Sequence, residues 1–206
     1  RLYNSNPPVR EFGFINPSLA DFLIGYVADS LPERRGIVTS IKYTKQLSRF
    51  NPDKKIIPLE PELQIIIRDK ILNAEMLILE STNKDFTENK RHAIFLEILC
   101  KYCNQVNTDA LLLAHLKKIS FDESWVSILS KIEYVLLNLG DAPQTYSYIK
   151  DNFITIVEKL ILSVSERENA AQIPFLFEKY EHDYEDYIEN SENGFENIIG
   201  MIGSIL

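Results

Sequence analysis

The residues able to do chemistry are few and scattered. Cys100 and Cys103 form a single C-x-x-C pair. Such a pair can be redox-active or supply half of a zinc site. Zinc needs a second pair, which the chain lacks, and His92 and His115 do not stand at ligand spacing. A thioredoxin-type dithiol needs a strand–helix–strand setting, whereas this pair ends a helical pattern. Two free structural thiols are expected, as in a reducing cytoplasm. His92, His115 and His182 fall in separate patterns, and no motif ties any of them to a nucleophile. There is no G-x-S-x-G elbow, no H-E-x-x-H and no G-x-x-x-x-G-K-[ST]. With 7 glycines, the chain also has too few for a dinucleotide fingerprint. No catalytic, cofactor-binding or metal-ligating residue is assigned, and the segment is read as non-enzymatic.

Carboxylates concentrate toward the C-terminus, from Glu178 to Glu196. Asp183 and Asp186 are spaced to share a helix face, which can serve acid–base or metal chemistry. The E-x-x-H partner that di-iron bundles place on another helix is missing. In the run "EKYEHDYEDYIEN", Tyr180, Tyr184 and Tyr187 recur at helical spacing between the acids. This predicts one helix with an aromatic stripe and an acidic face. Tyr180, Tyr184, Tyr187, Asp183 and Asp186 are therefore the candidate residues for binding a basic protein partner.

The elements that must position these residues are helical. Of 206 residues, 45% are hydrophobic and 25% charged, enough for a sizeable core in one large domain. The net charge of −8 disfavours general nucleic-acid binding, which needs clustered Lys and Arg. A local basic face survives around Arg34, Arg35, Lys42, Lys45, Lys54 and Lys55. No run of eighteen apolar residues is present, so no membrane span is expected. The chain opens on Arg1 with no signal peptide, which suggests a piece of a longer cytoplasmic protein.

Leu2-Tyr3 and Val9–Ile15, with Phe12 and Phe14 on one face, predict a short β-ribbon around an Asn-Pro-Pro turn. Asn16-Pro17 then signals a helix start, followed by Leu19, Phe22, Leu23, Tyr26 and Val27 at helical spacing. A second helix is expected over about Glu33–Arg49, with Ile37, Ile41, Tyr43, Leu47 and Phe50 inward. Residues 52–61 carry three prolines and read as a linker, dividing the chain into 1–51, 52–61 and 62–206.

Beyond the linker, Pro61 opens a helix drawn as far as Leu79, and Thr87 and Thr108 cap two more. Another follows Asp122 and stops at Gly140. Pro143 opens a long pattern through Val164, and a further helix covers Glu168–Asn190. A last apolar stretch runs from Phe195 to Ile205. About nine helices with short connections imply antiparallel neighbours, without the fixed period of a regular repeat protein. The expected fold is mainly α: an N-terminal ribbon followed by an irregular helical array, with a closed bundle as the alternative.

The stretch "EFGFINPSLADFL" resembles the end of the winged helix in bacterial STAND-type NTPases of the novel STAND group, some of which act in anti-phage defence. The matching residues are Phe12, Phe14, Asn16, Pro17, Ser18, Asp21, Phe22 and Leu23. Ala20 stands where the family commonly has a basic residue. The block "IVTSIKYTKQLSRF" is similar to the helix that follows that motif, and together the two cover about a quarter of the chain. The resemblance implies an upstream nucleotide domain, and a helical sensor region that binds a protein trigger or the motor itself. Two rival readings stand beside it. One is a winged-helix nucleic-acid binder with a helical oligomerisation region, using Arg34, Arg35, Lys42 and Lys45. The other is a helical enzyme using the C-terminal carboxylates with a metal.

Overall fold

A computed structural model describes residues 17–50, 57–79, 86–120, 128–161 and 172–190. The ribbon expected over residues 1–16 and the helix expected over 195–205 lie outside the described residues. Within them the protein is mainly helical, with ten α-helices, one 3₁₀ helix and no strand. In chain order these are α1 (Pro17–Asp29), α2 (Leu31–Ser40), η1 (Thr44–Phe50), α3 (Pro61–Leu72), α4 (Glu88–Tyr102), α5 (Asp109–Leu116), α6 (Leu129–Asn138), α7 (Pro143–Asp151), α8 (Phe153–Ile161), α9 (Ile173–Lys179) and α10 (Tyr184–Asn190).

The local start signals act in part: Thr108 holds the N-cap position of α5, but its side chain makes no cap hydrogen bond. Thr87 caps α4, its hydroxyl accepting the Lys90 amide at 3.2 Å. Proline sits in the first turn of α2, α3, α7 and α9, where a missing N–H costs nothing. The buried stripe of α8 is Phe153, Ile156, Val157, Leu160 and Ile161, the i, i+3, i+4, i+7, i+8 pattern of an amphipathic helix.

Four helices are shorter than the periodicity predicts. The element expected over Glu33–Arg49 breaks at 41–43. There the chain extends beside Leu77, whose amide donates to Lys42 O at 2.7 Å while Thr44 N donates to Leu77 O at 2.9 Å. The Gln46 side chain takes the Lys42 and Tyr43 amides, both at 2.9 Å, and Tyr43 points outward. The helix opened by Pro61 ends at Leu72, because Ala74 turns into the left-handed region at φ 55° and Met76–Ile78 run extended toward that bridge. The long pattern from Pro143 breaks at Asn152, whose side chain folds back onto Tyr148 O at 2.9 Å. The single helix expected over Glu168–Asn190 is two helices, separated by Glu181 at φ 56°. Gly140 adopts no left-handed conformation, and α6 ends instead on an extended Leu139.

α4 packs on both α5 and α6, α5 packs on α7, and α7 on α8. Contacts between alternate helices are what two rows of stacked helical hairpins produce. α1 packs on α2 and α2 on α3, which joins the N-terminal helices to the array. One hydrophobic core runs from Val38 to Tyr187, with Phe50, Leu63, Leu96, Leu99, Leu136 and Phe153 among its fully buried side chains.

Helices of seven to fifteen residues leave a large share of their backbone groups unbonded at the ends. Here many of those groups are met by side chains from other helices. Buried Arg34 donates to the C-terminal carbonyls of α1, Val27 O and Ala28 O, and pairs with Glu60 before α3. Gln64 of α3 accepts the Gln105 amide at 2.9 Å and donates to Leu59 O at 2.9 Å. Lys179 and Tyr180 both reach the end of α6, donating to Leu136 O at 2.7 and 2.8 Å.

Asp109 works at the opposite pole. Its buried carboxylate accepts the Gln144 and Thr145 amides at 2.9 and 2.8 Å and the Thr145 hydroxyl at 2.8 Å, so that α5 caps the start of α7. Burial alone would raise this carboxyl's pKa; the two amides and the hydroxyl outweigh it and hold it below the ordinary value. The contribution is then complete above the unfolded pKa of about 3.9 and lost as pH falls through the lower folded value. Asp109→Ala is expected to lower the unfolding free energy by about 2–3 kcal/mol in urea titration at pH 7, with a smaller difference at pH 2–3.

Candidate functional site

The structure joins two residues that the sequence keeps apart. His92 lies on α4 and His115 on α5, and their Nδ1 atoms are 2.9 Å apart. Their ring centroids are separated by 5.2 Å, and His115 also lies 5.3 Å from the ring of Phe95. One imidazole must donate its Nδ1 proton and the other accept it, so the pair is held together only while at least one Nδ1 is unprotonated. Burial lowers the His115 pKa to about 4, reinforced by the charge of a protonated His92 and by Lys118. His92 is lowered too, by burial first and then by Lys118, against a raising effect from Glu88. Both are neutral at pH 7.

The pair sits in a cleft of about 550 Å³ between the end of α3, the extended segment 76–78, α4 and α5. Its walls are mostly apolar, including Ile71, Met76 and Phe95, while Glu88, Arg91 and Lys118 supply charge. Leu72 and Leu77 line it and remain 63% and 52% exposed, and Leu79, two residues beyond Leu77, is also half exposed. The apolar wall explains the histidines' depressed basicity: it removes the water that would solvate an imidazolium. The helical spacing could not reveal this pair, since the two positions are 23 residues apart on different elements.

A second cavity, of about 530 Å³, lies where the α4–α5 and α6–α7 connections meet, and Cys100 and Cys103 are among its lining. Burial raises both thiols to about 12, so they stay protonated and unreactive at neutral pH, as the sequence predicts for structural cysteines. They are free, and Cys103 Sγ–H points to Gln64 O at 3.6 Å.

The candidate partner-binding residues fall in different environments. Tyr180 is 0% exposed and its hydroxyl donates to Leu136 O; Tyr187 is also buried, in ring contact with Phe177. Tyr184 is half-buried, also in ring contact with Phe177, with centroids 5.1 Å apart. The aromatic stripe therefore faces the core. Asp183 and Asp186 are exposed. Asp183 accepts the Glu185 and Asp186 amides at the start of α10, and Asp186 accepts from Asn190. Glu181 pairs with Lys150 and accepts the Tyr146 hydroxyl at 3.2 Å. His182 is stacked on Phe153 and bonded through Nε2 to Lys150 O; because a carbonyl only accepts, Nε2 carries the proton. Among the described residues, no group of three or more His, Cys, Asp and Glu converges to hold a metal.

Of the motif residues, Phe14 and Asn16 lie outside the described residues, and Pro17, Ser18 and Asp21 fall in the first turns of α1. Phe22 is 66% exposed and Tyr26 is exposed too, so the stripe read for this helix is not fully covered. Arg34 is buried in its ion pair, whereas Arg35, Lys42 and Lys45 are exposed.

The fold places the chain among mainly helical proteins built of stacked short helices. No protein-family model matches the sequence, and neither a curated protein nor a solved structure matches it. Among the described residues, no helix is long and apolar enough to cross a membrane.

The histidine pair makes a pH prediction. A folded-state pKa below the unfolded value of about 6.5 means the unfolded chain binds the proton first. Stability contributed by the neutral pair is therefore complete above pH 6.5 and declines as pH falls toward about 4. NMR titration should show the His115 ring protons shifting near pH 4, and His115→Phe should flatten the stability profile across that window.

Proposed function

We propose that this chain is a non-catalytic regulatory or sensor region of a STAND-type NTPase, acting by binding protein. Its partner is either a trigger protein or the nucleotide domain that the resemblance implies upstream, and residues 1–16 would complete the end of a winged helix. A cytoplasmic setting and a part in anti-phage defence belong to the same proposal. One observation carries the protein-binding part: Leu72 and Leu77 stand exposed at an apolar cleft. Water contact with two such side chains is costly, and an apolar patch rimmed by charge is the usual mark of a protein contact. The protonated thiols support a binding role over a reactive one, as do C-terminal acids occupied with capping and ion pairs.

The nucleic-acid alternative has less support, because Arg34, one of its four proposed phosphate contacts, is enclosed with Glu60 and the end of α1.

The reading frame that contains this segment is expected to encode a P-loop upstream. The purified nucleotide domain should then bind this chain in trans, measured by calorimetry. Leu72→Asp with Leu77→Asp should weaken that binding about tenfold or more. Both side chains are exposed, so the helical circular dichroism should be retained. A frame with no P-loop, or binding indifferent to both substitutions, overturns the proposal.

A further inference from the structure

His92 and His115 present their Nδ1 atoms to each other at 2.9 Å where α4 packs on α5, with the ring planes inclined at 47°. Only one proton fits between two such nitrogens, so the neutral pair keeps an Nδ1 lone pair aimed at its neighbour. The rings line the cleft of about 550 Å³, which gives a small ion a way in. Burial, the first cause in each case, lowers their basicity and favours the unprotonated form that a metal needs. On the other side of the His92 ring, Glu88 Oε2 stands 4.0 Å from Nε2. A ligating histidine usually turns its second ring N–H toward such a carboxylate, which steadies the ring. Buried Met76 lines the same cleft and brings a thioether.

We propose that the two facing Nδ1 atoms form a site for a soft monovalent metal ion, Cu(I). The ion takes the place of the shared proton between the rings. The imidazole that donated Nδ1–H carries its proton on Nε2 instead, so the pair neither gains nor loses a proton. The donor set decides the ion. Zinc takes four ligands, or three and a water, and among the described residues no third His, Cys, Asp or Glu converges with the pair. Calcium and magnesium require a shell of oxygens, which two imidazoles do not offer. Cu(I), with a filled d shell, is satisfied by two or three donors of the imidazole and thioether kind. A single positive charge also suits a mostly apolar wall that already holds Arg91 and Lys118 against Glu88. Bonds of about 2 Å on opposite sides of the ion require the rings to part by about 1 Å, a small side-chain rotation beside an open cleft. Cys100 and Cys103 are the rival donors for a soft ion; they line the other cavity, where burial raises both thiols to about 12. The inference does not rest on the protein-partner reading, since it needs neither a partner nor the exposed leucines.

The test is titration of the purified chain with Cu(I), kept reduced by ascorbate under nitrogen, in competition with the chromogenic chelator bathocuproine disulfonate. One equivalent is expected to be withheld from the chelator. His92→Phe and His115→Phe should each weaken that binding about tenfold or more, whereas Cys100→Ala with Cys103→Ala should leave it in place. The unaltered chain supplies a readout independent of any folding defect in the variants. Nitrogen NMR with Ag(I), an oxidation-resistant stand-in for Cu(I), should move the Nδ1 signals of His92 and His115 together. The inference is overturned if no Cu(I) is withheld, if binding survives both phenylalanine substitutions, or if Ag(I) leaves the two Nδ1 signals unmoved. Zn(II) held at the pair more tightly than Cu(I) overturns it as well, because the ion class is then wrong.

Discussion

Short helices can stack only if something satisfies their ends. The helices here run from seven to fifteen residues, and each brings unbonded amides to one pole and unbonded carbonyls to the other. Burying those groups without partners would cost on the order of 1–3 kcal/mol apiece. The chain meets part of this demand with side chains borrowed across the array. Arg34 closes the carbonyl end of α1, Asp109 the amide end of α7, and Lys179 with Tyr180 the carbonyl end of α6. The signs follow the helix dipole, with a carboxylate at the amide pole and cations at the carbonyl poles.

These clamps link hydrogen bonding to architecture. Asp109 can cap α7 only if α5 and α7 lie side by side, which is the contact between alternate helices that builds one row of the stack. Lys179 and Tyr180 draw α9 toward the end of α6, and the same tyrosine seals the core against Phe153 and Tyr146. A residue that would serve as a surface anchor in an isolated helix is therefore spent on internal structure. Exposed apolar side chains stand elsewhere, at the leucine-rimmed cleft.

Two surfaces beside α4 differ in physical character. The cleft of His92 and His115 is mostly apolar, lowers the basicity of both imidazoles and leaves leucines exposed. A trough along α4 is floored by Ile94 and Ile98 and edged by lysines, with Glu97 bonded to Lys131. Both borrow opposite faces of α4: His92 and Phe95 on one side, Lys90, Ile94 and Lys101 on the other. The longest described helix thus carries the core between two solvent-facing grooves.

Much of the fold was legible in the residues alone. Helical spacing located the runs that hold α4, α6 and α8, Thr87 and the prolines marked helix starts, and the lone C-x-x-C was readable as structural. These signals are local, acting over three or four residues. The break at Asn152 rests on a local bond to Tyr148 O, but the apolar spacing continues across it. Breaks at 41–43 and at Glu181 were not legible, because each depends on packing between elements: Leu77 for the first, the α9–α10 packing for the last. The pairing of His92 with His115, the reach of Asp109 to Thr145 and the inward turn of Tyr180 belong to the same class, joining positions 23, 36 and 44 residues apart. Sequence by itself determined that this chain is helical and where many of its helices begin, since propensity and capping are properties of neighbours along the chain. Only the tertiary structure decided which side chains finish which helix and which face solvent, because a hydrogen bond or a buried ring is chosen by what the fold brings within reach.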